Sequence, residues 1–324
     1  MSSPIRWGII GLGRIAHKFA SDLQLVEGAR LSGVASRSLE KAEKFGNEFG
    51  ASHCFGSYEA LLECDEIDVV YIATPHTLHF ENTMMCLKKG IPVLCEKPFA
   101  MKEIEVRQMI DLAREKKVFL MEAMWTRFFP LIQKTISIVK SGELGKIRSV
   151  RADFGFHKPY DPSSRIYDKS LGGGSLLDVG IYPLFLALLL LGEPDSIEAY
   201  APKNETGIDE SCFMHLHYKG EVVAQLMSSV KSKTDVEAWI YGSNGSLKIH
   251  GRFHHPKTIE WGTYYEGIQE LTDDYPGFGY QYEIEEVCNC LQNGKLESDL
   301  MTHQLSIRLI HLLDAVRKAA DIHY

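Results

Sequence analysis

The sequence predicts an α/β fold in two parts, a doubly wound parallel sheet followed by an α+β domain with a large, open, mostly antiparallel sheet. Strand-like and helical segments alternate over the first third of the chain, which is typical of a parallel sheet with crossover helices. Residues 196–250 instead carry short alternating segments separated by turn residues, which is typical of hairpins. The pattern changes near residue 125. We therefore expect domains at 1–124 and 125–324, with the C-terminal helix able to pack back on the first.

The parallel part needs strands that are apolar on both faces and helices that have one apolar face. The β-branched and apolar run at 67–72 is the clearest buried strand, and the charged segment 102–116 is an amphipathic helix. In order, the predicted strands are 5–10, 29–35, 67–72, 91–95 and 118–121, and the predicted helices are 14–26, 39–49, 78–89 and 102–116.

The second part begins with helix 128–140 and strand 147–156, and a loop at Gly172–Gly174 then leads into the apolar helix 181–191. Turn sequences such as Lys219-Gly220 and Ser243-Asn244-Gly245 separate the hairpin strands that follow. Those strands are predicted at 196–201, 211–218, 222–229, 236–241 and 247–250, and helices at 280–292 and 301–320 close the chain.

Composition excludes several classes of partner. The 324 residues are 45% apolar and 24% charged with a formal net charge of −8, which disfavours a nucleic-acid surface. The run 181–191 is shorter than the roughly 20 residues of a membrane span and contains Pro183, so we expect a buried helix and no membrane partner. Met1–Pro4 lacks the pattern of a secretion signal, and the seven cysteines are scattered. Both features predict a cytoplasmic protein with reduced thiols.

No metal site is predicted. Cys288 and Cys290 are close in sequence but lack the spacing of zinc ligands. His215 and His217 would face the same side of a strand, and a metal pair there would still need a third ligand. A solvated sheet face is therefore the favoured interpretation of the two histidines.

Four polar or glycine-rich segments each follow a strand-like run. The carboxyl ends of parallel strands line one crevice, where ligands bind, so these segments are expected to converge on one site. The segments are Gly11-Leu12-Gly13-Arg14-Ile15-Ala16, Ala73-Thr74-Pro75-His76, Cys95-Glu96-Lys97-Pro98 and Glu122-Ala123-Met124-Trp125.

The first segment matches the glycine fingerprint of a Rossmann dinucleotide-binding domain. Gly11 permits the tight turn, Gly13 lets a pyrophosphate approach the backbone, and Ala16 is the small residue at the third position. The phosphates would lie at the start of the following helix, beside Arg14 and Ile15. A glycine turn without a ligand is the alternative, which the strand before and the helix after make weaker.

The end of the second strand predicts NADP(H) rather than NAD(H). An NAD site usually has an acidic residue there, whereas this chain has Ala35-Ser36-Arg37-Ser38. Arg37 can pair with a 2′-phosphate, Ser36 and Ser38 can donate hydrogen bonds, and Lys41 follows one turn later. A solvated arginine at a helix start is the alternative.

The chain resembles the glucose-fructose oxidoreductase/inositol dehydrogenase superfamily, and within it the branch of dimeric dihydrodiol dehydrogenases, also described as NADP-dependent D-xylose 1-dehydrogenases. The resemblance covers essentially the whole length. It is carried by Thr74-Pro75-His76-Thr77-Leu78-His79, Glu96-Lys97-Pro98, Glu122-Ala123-Met124-Trp125-Thr126-Arg127-Phe128 and Gly173-Gly174-Ser175-Leu176-Leu177-Asp178-Val179-Gly180-Ile181-Tyr182.

The resemblance implies a role for five residues. Lys97 matches the catalytic lysine and Pro98 a cis proline of that superfamily. Tyr182 stands where many members have a histidine and where the dihydrodiol branch has its catalytic tyrosine. Trp125 and Phe154 match positions that shape the aromatic side of the substrate pocket. The resemblance also implies a dimer.

Elementary chemistry agrees with these roles. Oxidation of an alcohol needs a proton acceptor, and a tyrosine serves only when a nearby cation stabilises its phenolate. Lys97 can supply that cation, and Asp178, four residues before Tyr182 and so on the same helical face, can hold a substrate hydroxyl or tune Lys97. A surface lysine, a core tyrosine and a helix-capping aspartate are the structural alternatives.

The remaining candidates line the cofactor and the substrate. Thr74, Pro75, His76, His79 and Glu96 are expected beside the dinucleotide, although His76 and His79 could be surface residues and Glu96 could only anchor the Lys97 turn. Trp125, Phe154 and Phe156 would form an apolar wall, although Trp125 could simply be the aromatic residue at the domain junction. His157 and Arg165 would join Asp178 in binding hydroxyls.

We therefore expect an NADP-dependent dehydrogenase that acts on a cyclic polyol, either an aldose at its anomeric carbon or a trans-dihydrodiol. A dinucleotide-sensing regulator or scaffold without turnover is the alternative from another class, and a reductase working towards the alcohol is a third. The open sheet must cover its outer face, so a homodimer through that sheet is expected.

Overall fold

The computed structural model describes residues 3–324, so Met1 and Ser2, on which the predicted absence of a secretion signal partly rests, lie outside the described residues. The chain divides into two compact units. The first contains the residues up to Phe128 together with Pro276–Ile307, and the second contains Phe129–Tyr275 together with Arg308–Tyr324.

The strands are β1 (Ile5–Ile10), β2 (Ala29–Ala35), β3 (His53–Phe55), β4 (Val69–Ile72), β5 (Val93–Glu96), β6 (Leu120–Ala123), β7 (Ile147–Gly155), β8 (Ser196–Tyr200), β9 (Ser211–Tyr218), β10 (Val222–Ser229), β11 (Ala238–Gly242), β12 (Gly245–Ile249), β13 (Thr258–Thr263) and β14 (Gln269–Thr272). The helices are α1 (Arg14–Leu23), α2 (Leu39–Phe49), α3 (Tyr58–Leu62), α4 (His79–Lys88), α5 (Glu103–Lys116), α6 (Pro130–Ser141), α7 (Ile181–Leu191), α8 (Gln281–Gln292) and α9 (His303–Ala319).

The first unit is built on a parallel sheet whose described strands lie in the order β3-β2-β1-β4-β5-β6. Its central strands are buried on both faces, as their apolar sequences require: Ile9, Ile10, Val69 and Val70 have no exposed surface. The strand order reverses direction at β1 and β4, which is the position where open α/β sheets bind ligands. Helix α8 comes from the far end of the chain and contacts α1.

The second unit is built on an open sheet whose described strands lie in the order β14-β13-β12-β11-β7-β10-β9-β8. Neighbouring strands are antiparallel except for β7 and β10, which are parallel. Helix α7 packs on β7 and β10, and it is buried almost all round because its sequence is almost wholly apolar. The predicted fold class, a Rossmann-type parallel sheet and a separate mostly antiparallel sheet, is confirmed.

Three strands and one short helix were not predicted. Strand β3 has only three residues, β14 is exposed at every position, and β13 pairs with both β12 and β14 without a hairpin turn signal before it. Helix α3 has five residues. Strands β3 and β14 and helix α3 are too short or too exposed to show a clear hydrophobic period. Strand β13 does alternate, with buried Ile259 and Trp261, and its prediction was missed.

One helical stretch among the described residues, Lys169–Leu191, is long and apolar enough to cross a membrane by length and composition alone. Within the protein, 78% of its apolar window is buried, which is what a core helix shows.

Candidate active site

The glycine loop follows β1 and opens α1. Gly11 has a φ of +90°, and a Cβ atom there would lie 2.8 Å from the backbone of Ala73 and Thr74, so only glycine fits. Gly13 is the N-cap of α1 and is exposed, with open space around its α-carbon. Ala16 is fully buried against the sheet. The start of α1, at Arg14 and Ile15, thus presents free backbone N–H groups over a cradle that suits a dinucleotide phosphate.

The end of β2 carries the four residues predicted to select the cofactor. Ser38 caps α2 by accepting a hydrogen bond from the backbone N–H of Lys41 at 3.4 Å. The Ser36 hydroxyl accepts one from the Ser38 N–H, also at 3.4 Å. The side chains of Arg37 and Lys41 are exposed. Two cations and two hydroxyl groups therefore lie at the carboxyl end of β2.

His79 contacts the loop that follows β4. Its Nε2 lies 2.9 Å from the carbonyl oxygen of Thr74, and Asn82 donates to the Thr74 hydroxyl at 3.1 Å. Pro75 precedes a 3₁₀ turn that contains His76, which is buried and whose ring centroid is 5.8 Å from that of His79. His79 has no exposed surface, so it holds the loop from inside.

Lys97 follows β5 in a turn that several groups fix. Its peptide bond to Pro98 is cis, which confirms that prediction, and His79 Nδ1 lies 2.8 Å from the Pro98 carbonyl oxygen. The Lys97 N–H donates to Glu96 Oε2 at 3.2 Å, and the hydroxyl of Tyr71 donates to Glu96 Oε1 at 2.5 Å. The half-buried Lys97 side chain therefore projects from a well-defined backbone.

Two buried carboxyl groups, neither expected as a site residue, lie in the same unit. Glu122 accepts a hydrogen bond from the Phe99 N–H at 3.0 Å, and burial raises the pKa of Glu122 to about 7. Burial also raises the pKa of Glu283 well above its usual range, and Glu96 and Asp22 raise it further. Among residues 3–324 neither oxygen of Glu283 has a hydrogen-bond partner. The sequence signal for Glu122 was an acidic residue inside an apolar strand.

Trp125 lies in the first unit, where its ring stacks on Tyr280 at a centroid distance of 4.5 Å and an angle of 11°. The segment before α8 is held by Asp22, which accepts hydrogen bonds from the backbone N–H groups of Phe278 and Tyr280. Burial raises the pKa of Asp22 despite these bonds. Residues from the far end of the chain thus fix the position of Trp125.

The second unit brings Tyr182 together with Phe154 and His254. The Tyr182 ring is 5.6 Å from Phe154 and 4.9 Å from His254, and Phe154 and His254 stack at 4.3 Å. Tyr182 and His254 are both buried. His254 was not among the predicted site residues, and the sequence holds no signal for this contact because the partners are far apart in the chain.

Asp178 lies on a π-helical turn, Leu176–Gly180, directly before α7. Its carboxylate forms an ion pair with Arg165, with 2.5 Å between Oδ1 and Nη2. The Asp178 side chain is 15% exposed and the Arg165 side chain is 35% exposed, so the carboxylate is the better shielded of the two. Two of the three residues predicted to bind hydroxyls therefore form one polar group.

Phe156 and His157 have different partners in the second unit. Phe156 packs against a separate apolar cluster formed by Ile166, Tyr167, Ile208 and Val230. The exposed His157 ring lies 2.8 Å from the carbonyl oxygen of Lys231 through Nδ1. These contacts differ from those of the Tyr182 aromatic group, with which both residues were expected to bind the substrate.

Residues 3–324 hold no group of three or more His, Cys, Asp or Glu side chains that could bind a metal ion. His217 lies 3.5 Å from Glu198 on β8, and His215 is exposed on the same sheet.

Comparison with known proteins decides the family. The model of the GFO/IDH/MocA oxidoreductase family with an NAD-binding Rossmann fold matches residues 5–124, and the GFO/IDH/MocA C-terminal domain matches residues 132–248. The chain belongs to the GFO/IDH/MocA oxidoreductase family. The family predicted from the motifs is therefore confirmed, and the glycine loop of this oxidoreductase is that of an NAD(P)-binding Rossmann domain.

Similar proteins cover the whole length of this GFO/IDH/MocA oxidoreductase. Trans-1,2-dihydrobenzene-1,2-diol dehydrogenase from Danio rerio is 36% identical over 99% of this chain and 98% of the relative, and the Homo sapiens enzyme of that name is 33% identical over the same shares. Among solved structures, KijD10, a 3-ketoreductase from Actinomadura kijaniata in complex with NADP and TDP-benzene, has a TM-score of 0.87 and 27% identity over 98% of both chains.

Proposed function

We propose that this GFO/IDH/MocA oxidoreductase transfers a hydride between NADP(H) and a cyclic polyol, either an aldose at its anomeric carbon or a trans-dihydrodiol. The observation that carries the proposal is the Lys97 turn at the carboxyl end of β5. Contacts with Glu96, Glu122 and His79 fix this turn, which belongs to the same unit as the glycine loop. The relatives named as dihydrodiol dehydrogenases support the substrate class.

The preference for NADP(H) rests on the end of β2. Arg37 and Lys41 are exposed there, and Ala35–Ser38 contains no carboxylate that would repel a 2′-phosphate. A planar guanidinium binds a phosphate with two parallel hydrogen bonds, and Ser36 and Ser38 add hydroxyl groups. The NADP in the KijD10 structure supports the same choice.

The nicotinamide ring supplies hydride transfer when the cofactor is bound. We propose that Tyr182 accepts the proton of the reacting hydroxyl group during oxidation. The Lys97 ammonium would stabilise the Tyr182 phenolate and would bond to the substrate oxygen as negative charge develops on that oxygen. Asp178, held by Arg165, would accept a hydrogen bond from a second hydroxyl. Thr74, Pro75, His76, Glu96 and Lys97 are proposed to line the cofactor, with His79 behind them.

Both substrate classes are supported by the side chains that accompany Tyr182. Phe154 and His254 offer flat rings to one face of a cyclic substrate, and Trp125 is proposed to join that wall. The Asp178–Arg165 pair provides the polar contacts that hydroxyl groups need. A sugar and a dihydrodiol both present a ring face and adjacent hydroxyls.

A kinetic screen tests the proposal and separates it from a sensor that binds the dinucleotide without turnover. Purified protein would be incubated with NADP⁺ or NAD⁺ and with xylose, glucose, myo-inositol or a trans-dihydrodiol, following reduced nicotinamide at about 340 nm. Turnover of at least one substrate, with higher kcat/KM for NADP⁺, is expected. Tight cofactor binding with no turnover over the whole panel, in either direction, would favour the sensor.

We also propose that the protein is a cytoplasmic homodimer through the outer face of the second unit's sheet. One row across that face runs Glu198, His215, Gln225, Arg151, Trp239, Lys248 and Glu260. Phe213 and Tyr200 are neighbours in the next row and are 42% and 68% exposed. Aromatic residues and arginine are enriched in protein interfaces, and Trp239, Phe213, Tyr200 and Arg151 supply such residues on this face.

A further inference from the structure

Asp209 is a buried carboxyl group to which the expected chemistry assigns no role. It lies two residues before β9, has no exposed surface, and faces the glycine-rich loop that leads to Asp178 and Tyr182. Asp209, this loop and the C-terminal residues all belong to the second unit. A carboxylate taken out of water is costly unless several donors compensate it, so its contacts should be informative.

Three donors converge on the Asp209 carboxylate. The backbone N–H of Leu176 and the hydroxyl of Ser175 both donate to Oδ2, at 2.7 Å and 3.1 Å. The hydroxyl of Tyr324 donates to Oδ1 at 3.1 Å. In addition, the Ser175 N–H donates to the backbone carbonyl oxygen of Asp209 at 2.8 Å. The loop is thus bound to Asp209 through both its backbone and a side chain.

The space around Gly174, next to Ser175, admits no larger side chain. Gly174 has a φ of +115°, and a Cβ atom there would overlap the Asp209 carboxylate. The Ser175 hydroxyl also lies 3.0 Å from the Ser228 hydroxyl on β10, and a Cβ atom at Gly180 would lie 2.9 Å from the same Ser228 oxygen. The loop and the π-helical turn after it are therefore fixed at both ends.

We propose that Asp209 is a positioning residue for the reaction: it fixes the segment Gly172–Tyr182 and so orients Asp178 and Tyr182. The role in the reaction rests on the proposed function, whereas the fixing of the segment does not. Leu176, which donates to Asp209, is the first residue of the turn that carries Asp178, and Tyr182 follows one turn later. A shift of about 1 Å at such groups is enough to cost a large part of the rate.

The charge of the Asp209 carboxyl group is expected to change with pH not far below neutral. The ionised carboxylate of Asp209 accepts all three donors. Burial opposes this form and raises the pKa of Asp209 to about 6, although Leu176, Ser175 and Tyr324 lower it. The titratable groups that face Asp209 are Tyr324 and Cys212, and the Arg317 guanidinium lies over the Tyr324 ring at 4.9 Å.

Hydrogen–deuterium exchange of the full chain tests the fixing directly. In Asp209→Ala, the Leu176 N–H and the Ser175 hydroxyl lose their shared acceptor, so exchange of the peptides that cover Gly172–Tyr182 should rise by about tenfold or more. In the wild type, the same peptides should gain protection as the pH falls through about 6, after correction for the intrinsic rate, because the closed segment binds the Asp209 proton more tightly than an open one does. The variant should lack that pH step.

Tyr324→Phe removes one donor and should have a smaller effect than Asp209→Ala on the same peptides. The matched control is Asp153→Ala, which removes a carboxylate that accepts the Val236 N–H at 2.9 Å elsewhere in the unit. This control should leave the Gly172–Tyr182 peptides unchanged.

With a substrate from the screen, Asp209→Ala should lower kcat by about tenfold or more while the KM for NADP⁺ stays within about twofold. Unchanged exchange of the segment in Asp209→Ala, or increased exchange over the whole unit, would overturn the proposal. If the wild type turns over no substrate, the proposed function fails, and the exchange result still decides whether Asp209 fixes the segment.

Discussion

The ring of His79 lies 2.8 Å, through Nδ1, from the carbonyl oxygen of Pro98, the residue that follows Lys97. The other ring nitrogen lies 2.9 Å from the carbonyl oxygen of Thr74. Carbonyl oxygens only accept, so both contacts are hydrogen bonds when the ring carries both protons. His79 thus connects the loop after β4 with the Lys97 turn after β5, both in the first unit.

We predict that His79→Gln lowers the free energy of unfolding by about 1–3 kcal/mol, because a buried network then leaves a carbonyl oxygen without its donor. NADP(H) affinity should fall with it, since Thr74 and Pro75 are proposed to line the cofactor. Urea unfolding and a cofactor titration measure the two effects. His157→Gln, at an exposed ring, is the control and should change neither. A wild-type unfolding curve for His79→Gln would contradict the bridging role.

Replacement of Lys97 tests the proposed proton chemistry. Lys97→Ala should lower kcat by about 10²–10⁴-fold, the usual effect of losing a positioned acid–base group, while NADPH still binds. Steady-state kinetics and NADPH fluorescence measure the two properties. Lys102→Ala, at an exposed lysine five residues later, is the control. Activity of Lys97→Ala within about threefold of wild type would remove Lys97 from the mechanism.

Arg37 should distinguish the two cofactors. Arg37→Ala should weaken NADP⁺ binding by about 10–100-fold, because a charge-assisted bond to a phosphate is worth about 1.5–3 kcal/mol, and should change NAD⁺ binding much less. Calorimetric titration with both dinucleotides measures the difference. Arg30→Ala, at the opposite end of β2, is the matched control. An equal loss for both cofactors would argue against a 2′-phosphate contact.

The sequence predicted those parts of the fold in which local pattern and final environment agree. The bounds of β2, α2, β9 and β10 are as predicted, because each has a turn or a cap at its ends. Those of α7 are as predicted because a continuous apolar run ends at Gly192. Strand β14 has no buried position, so nothing in its sequence marks it. It exists because β13 offers it an edge, which is a property of the sheet.

The sequence likewise predicted only part of the candidate site. Motifs indicated Lys97, Tyr182 and Asp178 because each lies in a characteristic local sequence. They did not indicate His254, Glu283 or Asp209, whose importance comes from partners far away in the chain: His254 stacks on Phe154, and Asp209 binds Ser175 and Leu176. A single sequence contains no signal for such pairs, since loop geometry and burial decide them.

The dimer prediction can be tested at Trp239, which stacks on Tyr241 at 5.6 Å on the outer face of the sheet. Trp239→Glu places a carboxylate between Arg151 and Lys248, its register neighbours, so the single chain should tolerate it. In the dimer the charge would be buried, so light scattering should show one chain of 36.6 kDa instead of two. Tyr265→Glu, at a side chain that is 90% exposed, is the control. A wild-type protein with the mass of one chain would refute the dimer itself.

The buried carboxyl group of Glu122 should make the free energy of unfolding depend on pH. Burial raises its pKa from 4.5 to about 7, so the folded protein holds this proton more tightly than the unfolded chain does. The resulting stabilisation is complete below about pH 4.5 and is lost as the pH rises to about 7, a change on the order of 3 kcal/mol.

Glu122→Gln keeps an acceptor for the Phe99 N–H but does not titrate, so its free energy of unfolding should decline less than that of the wild type between pH 4.5 and 8. Urea unfolding at half-unit pH steps measures the difference, with Glu115→Gln, at an exposed helix position, as the control. Parallel curves for the wild type and Glu122→Gln would mean that the buried carboxyl does not change its charge in this range.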